Sequence, residues 1–234
     1  MPNIAENLTH IQNKIHEAET RAFRAPHSVR LVAVSKFHPA QSVIEAVEAG
    51  QTLFGENRIQ EASSKFDEIR ELGIACDLHI IGSLQRNKVK EAVRIARCIE
   101  SVDRIELLEE IEKQAAKINK NIEILFEVHT GEDSKAGFTS EEDLHTAVSR
   151  CAKGEFPHIT PKGFMTMAPF TEDKNLIRKS FVTLRNLRDS LQNEFPALSL
   201  HELSMGMSGD YEIAIEEGAT IVRIGTAIFG ERRG

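Results

Sequence analysis

Few cysteines and no long hydrophobic run set the first limits on this chain of 234 residues. Its three cysteines, Cys76, Cys98 and Cys151, lie far apart in the sequence, so we predict neither a disulfide framework nor a cysteine metal site. This cysteine usage fits a reducing compartment. No apolar run is long enough to cross a bilayer, and residues 1–10 contain no basic stretch followed by an apolar one, as a signal peptide would. We therefore expect a cytoplasmic protein without membrane association.

Basic residues are also fewer than acidic ones, with 29 lysines and arginines against 36 aspartates and glutamates. The formal net charge is −7, and the basic residues are spread along the chain. Nucleic acid binding requires a basic stripe or patch, so we predict no nucleic acid partner. The surface faces of the predicted helices show no clear hydrophobic interface, and we therefore expect a monomer.

Short apolar runs alternate with helical patterns along most of the chain. Apolar residues recur every three or four positions from Ile4 to about Arg24, which predicts an amphipathic N-terminal helix. The strands predicted after it are Arg30–Ser35, Thr52–Phe54, Leu78–Ile81, Cys98–Val102, Ile122–Val128, Gly163–Met167, Leu200–Ser204 and Thr220–Ile224. Helical patterns begin near Pro39, Asn57, Arg86, Arg104, Ser140, Glu172 and Ser208. Strands that are apolar on both faces and separated by helices predict a parallel sheet.

Eight such strands in a chain of this length are typical of a closed (β/α)8 barrel, the TIM barrel. An open, doubly wound sheet is the alternative, but no Gly-x-Gly-x-x-Gly pattern follows the first strand. The chain has no linker rich in proline, glycine or serine. We therefore predict an α/β fold in which residues 1–234 form one barrel domain with an extra N-terminal helix.

The first predicted strand ends on a lysine, Lys36. Ending a buried strand on an ammonium group costs free energy unless the charge has a partner or a chemical role. A lysine at the mouth of a desolvated pocket loses its proton more easily, and the free amine condenses with aldehydes and ketones. Taken alone, such a residue is more often a structural lysine that reaches solvent or pairs with a carboxylate.

Polar and glycine residues are concentrated directly after the predicted strands, on the face of a barrel where binding loops gather. They are Lys36, Glu56, Asn57, Gly82, Ser83, Asp103, His129, Ser204 to Asp210, Gly225 and Thr226. We interpret Met165 and Met167 as pocket wall and His129 as a hydrogen-bonding residue. His79 and His201, within or at the start of strands, are interpreted as buried core residues.

The segments after the seventh and eighth strands indicate a phosphate site. Ser204, Gly206, Ser208 and Gly209 leave a loop with exposed backbone N–H groups, and Ser208 stands where it could cap the next helix. Gly225-Thr226 repeats this pattern after the eighth strand. Barrels often bind phosphate in these two loops, where a helix N-terminus favours an anion. The alternative is ordinary capping and tight turns.

Arg223 lies inside the eighth strand and needs an acceptor. That acceptor is either a ligand, through a ring nitrogen or a phosphate, or an internal carboxylate such as Glu202. A lysine that forms a Schiff base and a phosphate site on the same face together indicate a phosphorylated aldehyde. Pyridoxal 5′-phosphate (PLP) carries both groups on one ring.

At these residues the chain resembles the PLP homeostasis proteins, also called PLP-binding or proline synthetase co-transcribed homologues. The shared motifs are residues 32–36 (VAVSK), 54–57 (FGEN), 79–88 (HIIGSLQRNK), 204–208 (SMGMS) and 222–230 (VRIGTAIFG). The resemblance implies the fold-type III barrel of alanine racemase without its second β domain. The chain departs from the family pattern at Phe37-His38, at Leu78 and at Gly163-Phe164-Met165.

The resemblance also assigns roles to individual residues. It implies that Lys36 holds PLP as a Schiff base, that Ser208, Gly225 and Thr226 hold the phosphate, and that Arg223 faces the pyridine nitrogen. The same resemblance places Asn57, Ser204 and Met205 beside the cofactor. It further implies a role in PLP and amino-acid homeostasis without robust catalysis, with PLP-dependent apo-enzymes as partners.

The alternative function is a PLP-dependent racemase. Racemisation needs acid–base groups on both faces of the substrate, which a second domain and a partner subunit help supply in alanine racemase. The only tyrosine here, Tyr211, lies in the seventh helical pattern. An arginine keeps its proton, so Arg223 would leave the pyridine nitrogen unprotonated and weaken the ring as an electron sink. A Schiff-base aldolase for a phosphosugar, with Asp103 or Glu56 as proton-transfer group, is a further alternative.

Overall fold

The computed structural model describes residues 3–131 and 136–230. Within them, eight parallel strands close into a barrel and follow one another in chain order. The strands are β1 (Arg30–Val34), β2 (Leu53–Glu56), β3 (Asp77–Ile80), β4 (Cys98–Val102), β5 (Ile122–Glu127), β6 (Ile159–Met165), β7 (Glu202–Ser204) and β8 (Ile221–Ile224). The closed barrel confirms the predicted fold class.

One helix precedes the first strand, and a helix follows each of the eight strands. They are α1 (Ile4–Arg21), α2 (Ala40–Glu48), α3 (Ile59–Glu71), α4 (Val89–Ile95), α5 (Ile105–Lys117), α6 (Glu141–Ala152), α7 (Lys174–Glu194), α8 (Tyr211–Glu216) and α9 (Thr226–Phe229). A short 3₁₀ turn, Arg86–Lys88, leads into α4. None of these helices, which belong to the described part of the chain, is long and apolar enough to cross a membrane.

Strand β6 begins at Ile159, earlier than the predicted start at Gly163. Its first half contains Pro161 and Lys162, which interrupt the apolar pattern by which strands are predicted. A register shift in the β5–β6 pairing accommodates this irregular half, as is usual for proline in a sheet. At Gly163, β6 approaches β7 so closely that a Cβ atom would lie 2.0 Å from the carbonyl oxygen of Glu202, so only glycine fits.

Two apolar layers hold the barrel together. Side chains that alternate along the strands point either into the barrel or towards the helices. The inner cluster consists of Val32, Val34, Leu53, Cys98, Leu125, Met165 and Ile221. The larger cluster lies between the strands and the surrounding helices. The inner cluster fills the barrel below the face on which the predicted site residues lie, so that face is closed from beneath.

Helix α1 is tied to the two short helices that follow β7 and β8. Its buried face is formed by Ile4, Leu8, Ile11, Ile15 and Ala18, as the periodicity predicts. Asn7 Nδ2 donates to the carbonyl oxygen of Ile228 in α9 at 2.9 Å. In the segment that follows α1, Arg24 Nη1 donates to the carbonyl oxygens of Ile215 and Ala219, in and after α8, at 3.0 and 2.6 Å. The N-terminal helix therefore helps to fix the loops that carry the predicted phosphate site.

Candidate functional site at the carboxyl end of the barrel

Lys36 lies two residues after the end of β1 and is half-buried. Strand β1 pairs with β2 on one side and with β8 on the other. The carboxyl ends of parallel strands meet at one edge of the sheet. The segments next to Lys36 are therefore those that follow β2 and β8, which carry Asn57 and Gly225-Thr226. The barrel thus brings residues far apart in sequence to one face, as predicted.

The loops after β7 and β8 form a cradle of backbone donors. Two hydrogen bonds join the loop after β7 to β8, from Met205 N to the Ile221 carbonyl at 3.1 Å and from Arg223 N to the Gly206 carbonyl at 2.9 Å. Several backbone N–H groups in these loops have no acceptor among the described residues, and they include those of Ser208, Gly209, Thr226 and Ala227. These four residues are exposed. Adjacent N–H groups without acceptors form an anion-binding concavity.

The prediction that Ser208 caps the following helix is wrong, because Asp210 is the N-cap residue of α8. The carboxylate of Asp210 accepts the N–H of Met207 at 2.6 Å, and this bond closes the turn in front of the helix. Burial raises the pKa of the Asp210 carboxyl. The turn also requires Gly206, whose φ is +96° and where a Cβ atom would lie 2.6 Å from the Ala214 Cβ atom. The Ser208 hydroxyl therefore remains exposed next to the cradle.

The guanidinium of Arg223 is buried and held in a fixed orientation. Its Nη1 donates to the carbonyl oxygen and to the Oγ of Ser204 at 2.8 and 2.7 Å, and its Nη2 donates to the carbonyl oxygen of Thr166 at 2.8 Å. The Arg223 Nε atom makes no hydrogen bond to the described residues. Only 4% of the Arg223 side chain is exposed. Three hydrogen bonds thus fix the orientation of the Arg223 guanidinium and leave two of its five donors unused, the Nε–H and one hydrogen of Nη2.

A buried carboxylate, Glu100 of β4, balances the charge of Arg223. Its Oε2 accepts a hydrogen bond from Ser204 Oγ and lies 3.9 Å from Arg223 Nη1, and its Oε1 lies 2.6 Å from His79 Nδ1. Burial alone would raise the pKa of Glu100, but the hydrogen bond and charge of His79, followed by Arg223 and Ser204, bring that pKa below its ordinary value. Glu100 is therefore ionised inside the barrel.

Two predictions about neighbouring residues are wrong. Glu202, the internal carboxylate suggested as the partner of Arg223, instead pairs with Arg30 at 2.7 Å, because both stand at the amino-terminal end of the barrel. His201 is exposed, since it precedes β7 and lies outside the sheet, whereas His79 is buried as predicted. The interior partner of the arginine is therefore contributed by β4.

Two polar residues lie at the carboxyl end of β2, Glu56 as its last residue and Asn57 directly after it. The Oδ1 atom of Asn57 is buried and has no hydrogen-bond partner among the described residues. Asn57 packs tightly on the loop after β3, where a Cβ atom on Gly82 would lie 2.5 Å from the Asn57 Cβ atom. Glu56 is completely buried; its Oε1 accepts hydrogen bonds from Ser35 Oγ and Lys65 Nζ, while burial raises its pKa. The Oδ1 atom of Asn57 is therefore a buried hydrogen-bond acceptor that is available to a ligand.

The remaining predicted residues are distributed as follows. Ser204 is buried and belongs to the Arg223 network. Met205 packs in the core between strands and helices, while Met165 lies in the inner cluster and Met167 is half-buried. Asp103 forms an ion pair with the adjacent Arg104. The side chain of Met205 therefore packs away from the barrel interior.

Sequence reasoning missed two buried charged residues. Glu100 interrupts the apolar strand Cys98–Val102, and a charged residue within a buried strand is the sequence feature that indicates a buried charge. Lys65 lies on the buried face of α3, three residues after Ala62 and four before Ile69. A lysine at such a position signals a buried partner, but the identity of that partner depends on the tertiary fold.

The comparisons with known proteins agree with this geometry. A family model described as the N-terminal domain of alanine racemase matches residues 6–233. The chain is 40% identical over 231 residues to the pyridoxal phosphate homeostasis protein of Aquifex aeolicus (strain VF5), covering 99% of each chain. The chain belongs to this family. The resemblance stated from the sequence motifs is thus confirmed.

Solved structures show where this family stands among related folds. PipY of Synechococcus elongatus PCC7942, solved with PLP bound, is 35% identical, with a TM-score of 0.86, and the match covers 97% of this chain and all of that one. A histidine racemase from Leuconostoc mesenteroides subsp. sake is 19% identical with a TM-score of 0.72, over 98% of this chain and 57% of that chain. The racemase likeness shows the fold alone, and the family member matches along its whole length.

Proposed function

We propose that this protein binds PLP at the carboxyl end of its barrel, with Lys36 as the point of covalent attachment, and serves PLP and amino-acid homeostasis as a carrier. The observation that carries the proposal is the placement of Lys36 beside a cradle of unpaired backbone donors and a buried, oriented arginine. The family membership and the PLP bound to PipY support it. We further propose a single domain over residues 1–234, acting as a cytoplasmic monomer that exchanges PLP with apo-enzymes.

The phosphate of PLP fits the loops after β7 and β8. The N–H groups of Ser208, Gly209, Thr226 and Ala227 are unpaired within the described residues and would donate to it, together with the hydroxyls of Ser208 and Thr226. A Cβ atom at Gly225 would lie 2.9 Å from the Val34 carbonyl oxygen, so glycine lets this loop lie close to β1 and Lys36. The cradle thus holds an anion next to the lysine.

The ring of PLP fits between the groups that flank the cradle. When bound, PLP supplies an aldehyde that condenses with a lysine amine with loss of one water. Arg223 would donate its free Nε–H to the pyridine nitrogen, and the unpartnered Oδ1 of Asn57 would accept from the ring substituents. Lys36 would supply the amine, which attacks an aldehyde in its neutral form. Arg223 and Asn57 each have hydrogen-bonding capacity left over for a ligand.

The geometry favours a carrier over a racemase. Arg223 does not release its proton, so a pyridine nitrogen facing it stays unprotonated. The ring is then a weaker electron sink for a carbanion on the substrate. The only tyrosine, Tyr211, is buried in the core at the start of α8, where burial raises the pKa of its hydroxyl. It therefore does not serve as the acid–base group that racemisation needs on the second face of a substrate.

Two assays separate the carrier from the enzyme. The PLP-loaded protein is incubated with amino acids in D₂O, and exchange of the α-proton is followed by NMR. It is also mixed with a PLP-dependent apo-enzyme whose recovered activity reports transfer. We expect transfer without appreciable α-proton exchange, with Lys36→Ala as the control that cannot be loaded covalently. Rapid exchange of the α-proton would show that the protein removes this proton, as racemisation requires, and would contradict a carrier without catalysis.

A further inference from the structure

The turn that carries Lys36 is conformationally strained. It is closed by a hydrogen bond from His38 N to the Ser35 carbonyl oxygen at 3.1 Å, so Lys36 and Phe37 occupy the two central positions. Phe37 has a φ of +66°, in the left-handed region that favours glycine at this position of a turn. A bulky residue keeps such a conformation only when its surroundings fix it.

Two residues of α3 fix the turn from both sides of Lys36. Glu61 Oε1 accepts the N–H of Phe37 at 2.6 Å. Lys65 Nζ donates to the Ser35 carbonyl oxygen at 2.8 Å and to Glu61 Oε1 at 3.1 Å. The residue before Lys36 and the residue after it are therefore bonded to the same pair of side chains.

The pair is itself firmly held. Lys65 has a third bond, to Glu56 Oε1 at 2.8 Å, which satisfies all the donors of its ammonium group. Its side chain is only 5% exposed, and that of Glu56 is fully buried. The guanidinium carbon of Arg58 lies 4.9 Å from the centroid of the Phe37 ring and covers it. Glu61 and Lys65 of α3 therefore form a rigid pair of hydrogen-bonding partners for the turn, and we call this pair the template.

We propose that Glu61 and Lys65 are positioning residues for Lys36: they hold the Ser35–His38 turn in the conformation that directs the lysine amine into the site, and so set the rate of covalent loading by PLP. This inference rests on the proposed function. Neither residue is among those assigned to PLP above; each acts through the backbone on either side of Lys36. The rate of attack by an amine depends on its orientation, so loss of this template slows loading.

The test compares Glu61→Ala, Glu61→Gln and Lys65→Met with the wild-type protein. Hydrogen exchange at the Phe37 amide is measured without PLP, and the rate of covalent loading is followed by visible absorbance in stopped flow. In Glu61→Ala we expect hydrogen exchange at the Phe37 amide to be about tenfold faster and covalent loading by PLP to be about tenfold slower. This is the size of effect expected when one hydrogen bond to a charged group is lost. Glu61→Gln keeps an oxygen acceptor for Phe37 and is expected to recover most of both values.

Lys120→Met is the matched control. Lys120 also makes three hydrogen bonds to the protein, to the carbonyl oxygens of Val93, Arg94 and Ala96 at the end of α4. Its loss removes a partly buried lysine at the opposite end of the barrel. We expect this variant to lose stability while its Phe37 exchange and loading rate stay at the wild-type values.

Three results would overturn the inference. Loading and Phe37 exchange at wild-type rates in Glu61→Ala and Lys65→Met would show that the turn needs no template. Equal defects in Glu61→Ala and Glu61→Gln would show that the acceptor role is not what matters. A loading defect in Lys120→Met as large as in Lys65→Met would assign the effect to general destabilisation. Failure of the wild-type protein to load at all would instead contradict the proposed function, and Phe37 exchange would still report on the turn.

Discussion

Replacing Glu100 by glutamine tests the claim that this carboxylate balances the buried charge of Arg223. The two charged groups lie 3.9 Å apart, a separation at which an ion pair is worth about 4 kcal/mol at an effective dielectric constant near 20. Deleting one partner of a buried pair leaves the other uncompensated and costs about 3–5 kcal/mol. Glutamine preserves the shape of the side chain and its contact with His79. We therefore expect the free energy of unfolding to fall by about 3 kcal/mol, the lower end of this range.

The loss is measured by urea unfolding at neutral pH, with the slope of the transition unchanged. A loss of this size corresponds to a fall in Tm of about 6–12 °C for a protein of this length. Glu123→Gln is the matched control: its carboxylate, on the neighbouring strand, is 27% exposed and pairs with Arg97 and Lys162. We expect this control to lose less than about 1 kcal/mol.

The pH dependence provides an independent check. The pKa of Glu100 is lower in the folded protein than its ordinary value of 4.5, so the unfolded chain binds the proton more readily. Its contribution to stability is therefore complete above pH 4.5 and is lost as the pH falls through the lowered value. The difference between wild type and Glu100→Gln should shrink over that range. A difference below about 1 kcal/mol at neutral pH, or one that does not change on acidification, would refute the charge balance.

Two further substitutions test the loops and the arginine. Gly206→Ala places a Cβ atom 2.6 Å from that of Ala214 at a φ of +96°, so we expect a loss of about 2–3 kcal/mol in urea unfolding, and a wild-type midpoint would contradict the close approach. Arg223→Lys keeps the charge but not the fork that bonds Ser204 and Thr166, so the dissociation constant for PLP should rise about tenfold in a spectroscopic titration. An unchanged constant would mean that Arg223 does not orient the ligand.

The barrel and the place of the site were accessible from the sequence, because each depends on local patterns. Apolar runs predict the strands, and the carboxyl ends of parallel strands must share a face, so the sequence alone places Lys36, Asn57 and Gly225-Thr226 together. The short strand β2 is confirmed although its own pattern is weak, because it lies between two clear neighbours.

The charged networks could not be predicted in the same way. Glu100 of β4 meets Ser204 of β7 only because the sheet closes into a barrel, and its other partner, His79, lies on the neighbouring strand β3. The same holds for Lys65, which reaches Glu56 and the turn after β1 from a neighbouring helix. Spacing in sequence does not determine such contacts, and the choice of Glu202 as the partner of Arg223 failed for that reason.

The most direct test of covalent PLP attachment is mass spectrometry of the purified protein after PLP addition and borohydride reduction. We predict a protein that absorbs visible light, loses that absorbance on reduction, and carries the reduced pyridoxyl phosphate on the peptide containing Lys36, whereas Lys36→Ala carries none. A protein that stays colourless and unmodified with excess PLP, or one modified at another lysine with Lys36 intact, would contradict the account.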